Sequence, residues 1–308
     1  MNSSKLHPPP EQDFHLALLR AYIDSANDGI FVVCDEMKFH VANRLLARWL
    51  GETEKSLTAH KQRITITRFF SDEESRNLFK ENFQEALSGK PARFECHLSP
   101  KHGEPRWVEI SLNKVDLEAG DLVIGVVRDV TERRALLAEA HHHARHDDLT
   151  GLLNRREFER QLKDLFQSAK SEDARHVLLY VDLDQFKIVN DSCGHMAGDE
   201  LLRQIAGRTQ TEVRKNDTFA RLGGDEFGVL LENCQMDQAL EIAEKLRDSI
   251  AGFRFRWDER TFDISASIGV CAITQASESP LDVLGNADAA CYIAKNKGRN
   301  RVQVFGGK

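Results

Sequence analysis

An apolar stretch ends in alternating acids at Val181-Asp182-Leu183-Asp184-Gln185-Phe186-Lys187. In a strand, residues two apart share a face, so Asp182 and Asp184 point the same way or diverge where the strand ends. Carboxylates at the exit of a buried strand are costly unless solvated, paired or bound to a cation. A second acidic pair stands in Arg221-Leu222-Gly223-Gly224-Asp225-Glu226-Phe227, between two apolar runs. Paired glycines permit the positive φ angles of a tight hairpin and remove side chains that would block a ligand. Asp225 and Glu226 at such a turn, near the acids of a neighbouring strand, form an oxygen-rich site suited to magnesium. That ion completes its octahedron with waters and substrate phosphates, so few protein ligands are needed. Alone, Gly-Gly-Asp-Glu reads equally well as a hairpin turn with acidic decoration.

The elements that would position these acids follow from periodicity. Phe158, Leu162, Leu165 and Phe166 make one helix stripe, and His176 to Val181 reads as a strand. Leu201, Leu202, Ile205 and Ala206 mark a further helix. Phe219 to Leu231 reads as two strands turning at Gly223-Gly224. Leu240, Ile242, Ala243, Leu246 and Ile250 mark the next helix, followed by a strand over Phe262 to Ile273 and a last helix from Pro280 to Asn296. This order predicts an α+β domain over 147–308 with a central mixed sheet.

The first part of the chain has a different rhythm. A short helical pattern from Leu16 leads into a strand at Gly29 to Val33, with a hairpin partner over Met37 to Ala42. Asn43 to Leu50 has helical spacing and stops at Gly51, and Ser71 to Leu87 is a second helix. Ala92 to Leu98, Arg106 to Val115 and Leu122 to Val127 alternate as an antiparallel sheet with one buried face. Thr131 to His146 lacks Gly and Pro and predicts a linker helix, 131–146. Its Leu137, Ala140 and Ala144 form a narrow apolar seam able to pair with a second subunit. His141, His142 and His143 point in different directions on a helix and cannot all serve one ion, so a solvated face is the expectation.

Composition narrows the classes. The 308 residues suffice for two domains, and a formal charge of −7 disfavours a binder of nucleic acid polymers. The apolar runs are too short to cross a bilayer. Met1 to Pro10 is polar and proline-rich and lacks the apolar core of a signal peptide, so 1–15 is expected to be a disordered lead-in. Cys34, Cys96, Cys193, Cys234, Cys271 and Cys291 show no paired spacing and read as reduced thiols of a cytoplasmic protein.

Residues 16–130 resemble a PAS sensor domain: a strand pair, short helices and a three-stranded meander, closed by Asp129-Val130-Thr131-Glu132-Arg133. A different small α+β module is the alternative. The second domain carries an ordered set of motifs. These are Asp148-Leu149-Thr150-Gly151-Leu152-Leu153-Asn154-Arg155-Arg156, the acidic strand, Asn190-Asp191-Ser192-Cys193-Gly194-His195 with Gly198-Asp199, the Gly223 to Phe227 hairpin, and Lys295-Asn296-Lys297-Gly298-Arg299-Asn300. This set resembles the GGDEF family of diguanylate cyclases, which implies a palm-like α+β fold. The resemblance also implies that two GTP molecules are condensed to cyclic di-GMP with two Mg2+ per active site, Mn2+ being an alternative ion.

Carried over by that resemblance, Asp182 and Asp225 are the metal-binding acids and the Leu183 carbonyl a main-chain ligand. Glu226 holds the second metal or helps deprotonate the attacking hydroxyl. Lys187, Lys295 and Arg299 contact phosphate, Gly223 and Gly224 line the substrate, and Asn190 and Asp199 select guanine. The bland reading of Asp199 is a helix N-terminal acid. Arg214-Lys215-Asn216-Asp217 matches the family's inhibitory pattern, with Arg214 and Asp217 as contacts for the product. The family's second arginine is missing, since Glu241 and Lys245 occupy its places and Arg247 lies nearby.

Joining two GTP molecules through two bonds implies a homodimer. The alternatives are a catalytically silent receptor for cyclic di-GMP or GTP, and a PAS-driven interaction module with a vestigial cyclase. The PAS ligand is not legible. No cysteine falls in 51–70 and no histidine in 71–87, leaving His40, His60, His97 and His102 as isolated histidines.

Overall fold

The computed structural model describes residues 11–59, 64–100, 102–117, 120–172, 174–214 and 216–306. The chain forms two compact units that divide between Ala138 and Glu139. The expected lead-in lies outside the described residues as far as Pro10, and so do His60 and Lys215.

The N-terminal unit opens with helix α1 (Glu11–Ser25), so residues 11–15 are helical rather than lead-in. It continues through β1 (Gly29–Cys34), β2 (Phe39–Ala42), α2 (Arg44–Trp49), α3 (Glu54–Thr58), a 3-10 turn (Ile66–Phe69) and α4 (Glu73–Leu87). The strands β3 (Ala92–Leu98), β4 (Arg106–Leu117) and β5 (Gly120–Asp129) complete it. The sheet is antiparallel throughout, in the order β2-β1-β5-β4-β3. Asn43 explains the turn from β2 into α2. Its Oδ1 accepts from the Ile30 and Leu46 amides at 3.0 Å, and its Nδ2 donates to the Ile23 and Asp28 carbonyls. One buried amide thus satisfies all its bonds while capping a helix. The core is filled by Phe31, Phe39, Phe69, Phe70, Phe79 and Phe83.

Helix α5 (Thr131–Arg145) follows, with Leu136 and Leu137 more than half exposed. His142 stacks on His146, and His143 Nδ1 lies 2.5 Å from the Asp148 carboxylate. The side chain of His141 is outside the described set.

The C-terminal unit runs through β6 (Leu153–Asn154), α6 (Arg155–Glu172), β7 (His176–Asp184), α7 (Phe186–Cys193), α8 (His195–Thr209), β8 (Thr218–Gly223) and β9 (Glu226–Leu231). It ends with α9 (Met236–Ala251), β10 (Arg254–Trp257), β11 (Arg260–Asp263), β12 (Ser265–Ile273), α10 (Pro280–Asn296) and β13 (Arg301–Val304). The mixed sheet has the order β13-β12-β7-β9-β8-β6, parallel at its two edge pairs and antiparallel between. Both faces are covered, one by α8 and α9, the other by α6 and α10.

Several expectations are corrected. The stretch Phe262 to Ile273 is not one strand: 260–263 pairs back on 254–257, and the chain joins the main sheet only after the buried Ile264. Strand β7 extends through Asp184 and is buried at all nine positions, so Asp182 lies within the sheet and Asp184 is the strand's buried last residue. Short helices α3 and α7 were not anticipated from the sequence.

Candidate active site

Alternation along β7 decides where the acids go. Leu179, Val181 and Leu183 pack into the core beneath α8 and α9, whereas Leu178 and Tyr180 pack toward α6 and α10. By the same period Asp182 and Asp184 belong to the α10 face. Helix α10 lies tightly there: a Cβ at Gly269 of β12 would come within 1.9 Å of the Ala287 carbonyl oxygen. This close approach brings Lys295, near the helix end, into reach, and its Nζ sits 2.5 Å from Asp182 Oδ2.

Strand β9 supplies the neighbouring acids. Glu226 is its first residue, directly opposite Asp182, and the Leu183 amide donates to the Asp225 carbonyl at 3.2 Å. Gly223 and Gly224 both have positive φ, 148° and 52°, as a tight hairpin requires. Glu226 is not on an exposed turn as its sequence context suggests; it is half-buried as the first residue of β9, close enough to Tyr180 for its charge to help raise that hydroxyl. Asp225 alone of the pair occupies the turn between strands.

The electrostatics are unequal. Burial pushes the Asp182 carboxyl up to about 6; Lys295 opposes the shift, and the nearby Asp225 and Glu226 charges add to it. Partial burial would lower Lys295, but its bond to Asp182 and the negative charges of Asp182 and Asp225 together more than offset this, and it is raised. Burial likewise pushes the Tyr180 hydroxyl up, helped by Glu226. The pocket thus holds more negative charge than one lysine balances. Among the described residues no three His, Cys, Asp or Glu side chains form a ready-made metal cage. Asp182, Asp225 and Glu226, with main-chain oxygen at Leu183, therefore fit an oxygen-seeking divalent cation that keeps much of its shell for water and phosphate.

Asp184 behaves differently from its partner in the sequence motif. Its carboxylate accepts from Ser265 Oγ at 2.7 Å, Ser267 Oγ at 2.8 Å and the Asn300 amide at 3.0 Å.

The other predicted residues surround this centre or stand apart from it. Lys187 on α7 and Arg299 after α10 are exposed. Asn190, inside α7, packs against Gly198 of α8, where a Cβ would come 2.0 Å from its Oδ1; that oxygen is buried and accepts no hydrogen bond within the described residues. Asp199, the next residue after Gly198, is exposed. It is the fifth residue of α8, so the helix N-terminal reading is corrected.

Arg214 and Asp217 lie at the opposite end of β8 from Gly223, ~20 Å away at strand rise. Asp217 accepts from the Arg214 and Glu232 amides. An open cleft of about 430 Å³ is bounded by Arg214, Asn216, Asp217, Glu232 and Asn233. Arg247 is not part of it: its guanidinium bonds Glu244, Asp248 and the Asn300 side chain.

Sequence reasoning missed Asp147 and gave Arg221 no role. Arg221 donates to the Gly224 carbonyl and to both Asp147 carboxylate oxygens, fastening the hairpin to the domain entry. The signal was an arginine two residues before a glycine turn, legible only once its partner 74 residues upstream is known.

Comparison with known proteins agrees with this architecture. Residues 144–301 match the family model described as "Diguanylate cyclase, GGDEF domain", and residues 23–135 match a PAS fold. The chain is 44% identical over 290 residues to the probable diguanylate cyclase DgcE of Escherichia coli (strain K12), covering 93% of this chain and 26% of that protein. It thus spans about a quarter of that relative's length. Among solved structures, the coiled coil and GGDEF domain of DgcB from Caulobacter crescentus, in complex with c-di-GMP, superimposes with a TM-score of 0.54 at 29% identity. That match covers 57% of this chain and 93% of DgcB's. Diguanylate cyclase SiaD from Pseudomonas aeruginosa, in complex with its activator SiaC, gives 0.51 at 32% identity, over 56% and 66%. No described helix is long and apolar enough to cross a membrane. The C-terminal unit belongs to the GGDEF diguanylate cyclase domain family, and a PAS fold precedes it in the same chain.

Proposed function

We propose that this chain is a diguanylate cyclase that joins two GTP molecules into cyclic di-GMP and releases two pyrophosphates. The observation that carries the reading is the meeting of Asp182, Asp225 and Glu226 beside Lys295, with Asp182 raised to about 6 chiefly by its burial and further by the two neighbouring acids. Two bound Mg2+ ions, or Mn2+ in their place, would supply the charge that lowers the pKa of the attacking 3′-hydroxyl and steadies the leaving pyrophosphate.

The chain's own groups divide the remaining work. Asp182, Asp225 and the Leu183 carbonyl would hold the ions, with Glu226 as a ligand for the second or as the base. In the base role Glu226 would take the proton of the 3′-hydroxyl as its oxygen attacks the α-phosphorus. Lys295, bonded to Asp182 here, would be free to contact phosphate once Asp182 is otherwise engaged, with Lys187 and Arg299 as further phosphate contacts. Gly223 and Gly224 leave room for the triphosphate. The unpartnered Asn190 oxygen, with Asp199 beside it, accepts from the N–H edge of guanine, a pattern adenine does not present.

Each C-terminal unit would hold one GTP, so two copies must face each other across a two-fold axis, and the working form is a homodimer. The PAS unit and the helix 131–146 would set the population of facing dimers. Product bound at Arg214 and Asp217 would restrain turnover, and the cyclase unit would draw on cytoplasmic GTP.

The deciding experiment is incubation with GTP and magnesium, followed by chromatographic separation of products. Cyclic di-GMP is expected, with none after chelation by EDTA and none from a folded Glu226→Gln variant. Binding of cyclic di-GMP or GTP without any turnover would replace the enzyme with a silent receptor.

A further inference from the structure

Asp182 and Asp184 look interchangeable in sequence, yet only the first is left open. Asp184 is 3% exposed and surrounded by donors. Ser265 lies opposite it on β12 and Ser267 opposite Asp182, so both hydroxyls fall on its carboxylate from the adjoining strand. The third donor, the Asn300 amide, comes from the turn between α10 and β13.

That turn has an uncommon backbone. Gly298 ends the helix, its amide and that of Arg299 returning to the Lys295 and Ala294 carbonyls. Gly298, Arg299 and Asn300 all have positive φ, at 113°, 61° and 45°. Glycine takes this region freely, but two following residues with side chains hold it only where their surroundings impose it. Asp184 grips the Asn300 amide. From the far side Arg247 of α9 donates to Asn300 Oδ1 at 2.9 Å, itself steadied by Glu244 and Asp248. The Arg301 side chain also donates to the Arg299 carbonyl at 3.1 Å. Arg299 is therefore held between a helix end and a clamped residue.

We infer that Asp184 is a positioning residue: with Asn300 and Arg247 it fixes the left-handed turn that presents Arg299 to the substrate's phosphates, and it takes no part in holding the metal. The inference rests on the cyclase reading and assigns a task to an acid that reading leaves idle. Both of its oxygens are engaged, Oδ2 by Ser265 and the Asn300 amide and Oδ1 by Ser267. Three donors already claim the carboxylate, so recruiting it to a cation would strip the turn of its anchor.

The test uses steady-state kinetics with GTP and magnesium on the full chain. Asp184→Ala, shown folded by circular dichroism, is expected to raise KM for GTP ~10-fold while changing kcat much less, as loss of a ground-state phosphate contact does. Asp184→Asn keeps an acceptor for the Asn300 amide, and Ser267 can rotate to accept from its amide nitrogen, so KM is expected within roughly three-fold of wild type. Arg299→Ala should reproduce the Asp184→Ala effect, and the double variant should be no worse than Arg299→Ala alone, because one residue acts through the other.

Three results overturn the inference: a folded Asp184→Ala with unchanged KM, independent effects that multiply in the double variant, or Asp184→Asn as damaged as Asp184→Ala. The last would mean that the charge itself is used. If Asp184→Ala does not fold, Arg247→Ala at the helix surface replaces it; a KM raised roughly three-fold and not compounded by Arg299→Ala supports the clamp, and an unchanged KM removes it. A wild-type chain that makes no cyclic di-GMP defeats the cyclase reading instead, so the two failures are told apart.

Discussion

The two units bury different kinds of group. Among the described residues of the N-terminal unit the buried polar ones are Asn43 and Ser75, and the centre is a cluster of phenylalanines. Phe79 touches Phe31, Phe70, Phe83 and Phe94, with ring centroids 5.2 to 6.5 Å apart. The C-terminal unit buries Glu157, His176, Asp182 and Asp184. An ionisable group in a protein interior needs compensation, and the degree of it separates structural groups from working ones. Glu157 receives Arg145, Arg160 and Gln161. Asp184 receives three donors, and His176 accepts the Asn233 amide on Nδ1. Asp182 has one lysine and two nearby negative charges against it. The least compensated carboxylate is the one beside the hairpin acids.

Removing that imbalance gives the largest expected effect. Asp182→Asn should lower cyclic di-GMP formation ~10²- to 10³-fold, the scale for losing one group that stabilises developing charge. Its thermal midpoint should stay at or above that of wild type, since an under-compensated buried charge is gone. A marked fall in the midpoint would instead make Asp182 a structural residue like Glu157.

The N-terminal unit should fail in the opposite manner. Phe79→Ala leaves a cavity among aromatic rings and is expected to cost about 3–5 kcal/mol in denaturant unfolding of that unit. The metal dependence of product formation should be unaltered, because no residue of the cluster lies in the C-terminal unit. A loss below 1 kcal/mol, on the order of a surface change, would contradict the packed core.

The smallest effect concerns a compensated acid. Hydrogen bonds from Arg160 hold the Glu157 carboxyl down at about 2, against burial, with Gln161 and Arg145 helping. A depressed carboxyl stabilises the fold fully above its unfolded value, near 4.5, and the contribution is lost as the pH falls toward 2. The gap in thermal midpoint between wild type and Glu157→Gln should therefore be widest at neutral pH and close between about 4.5 and 2. A gap independent of pH would show that packing, rather than charge, makes the difference.

Much of this was written in local pattern. The span of α10 follows from Pro280 at a helix start and the glycine at 298 past its end, and the hairpin from paired glycines between apolar runs. The motif set named the residues around the carboxylates because those residues cluster in short segments. Local pattern failed where the partner is distant. Glu226 looks like a turn residue until β7 is paired beside it, and Arg221 needs Asp147 to have a task. Phe262 to Ile273 read as one strand because alternation does not reveal that a chain changes sheets at Ile264.

By itself, then, the sequence determined which carboxylates, cations and glycines the site has to work with, since residue type and local spacing are written in the chain. The division of labour between Asp182 and Asp184 was decided only by the tertiary structure. Both share one face of β7, but the serines of β12 and the amide of Asn300 converge on one carboxylate, and a lysine of α10 meets the other. Donors brought from 81, 83 and 116 residues away leave no trace in the alternation of five residues.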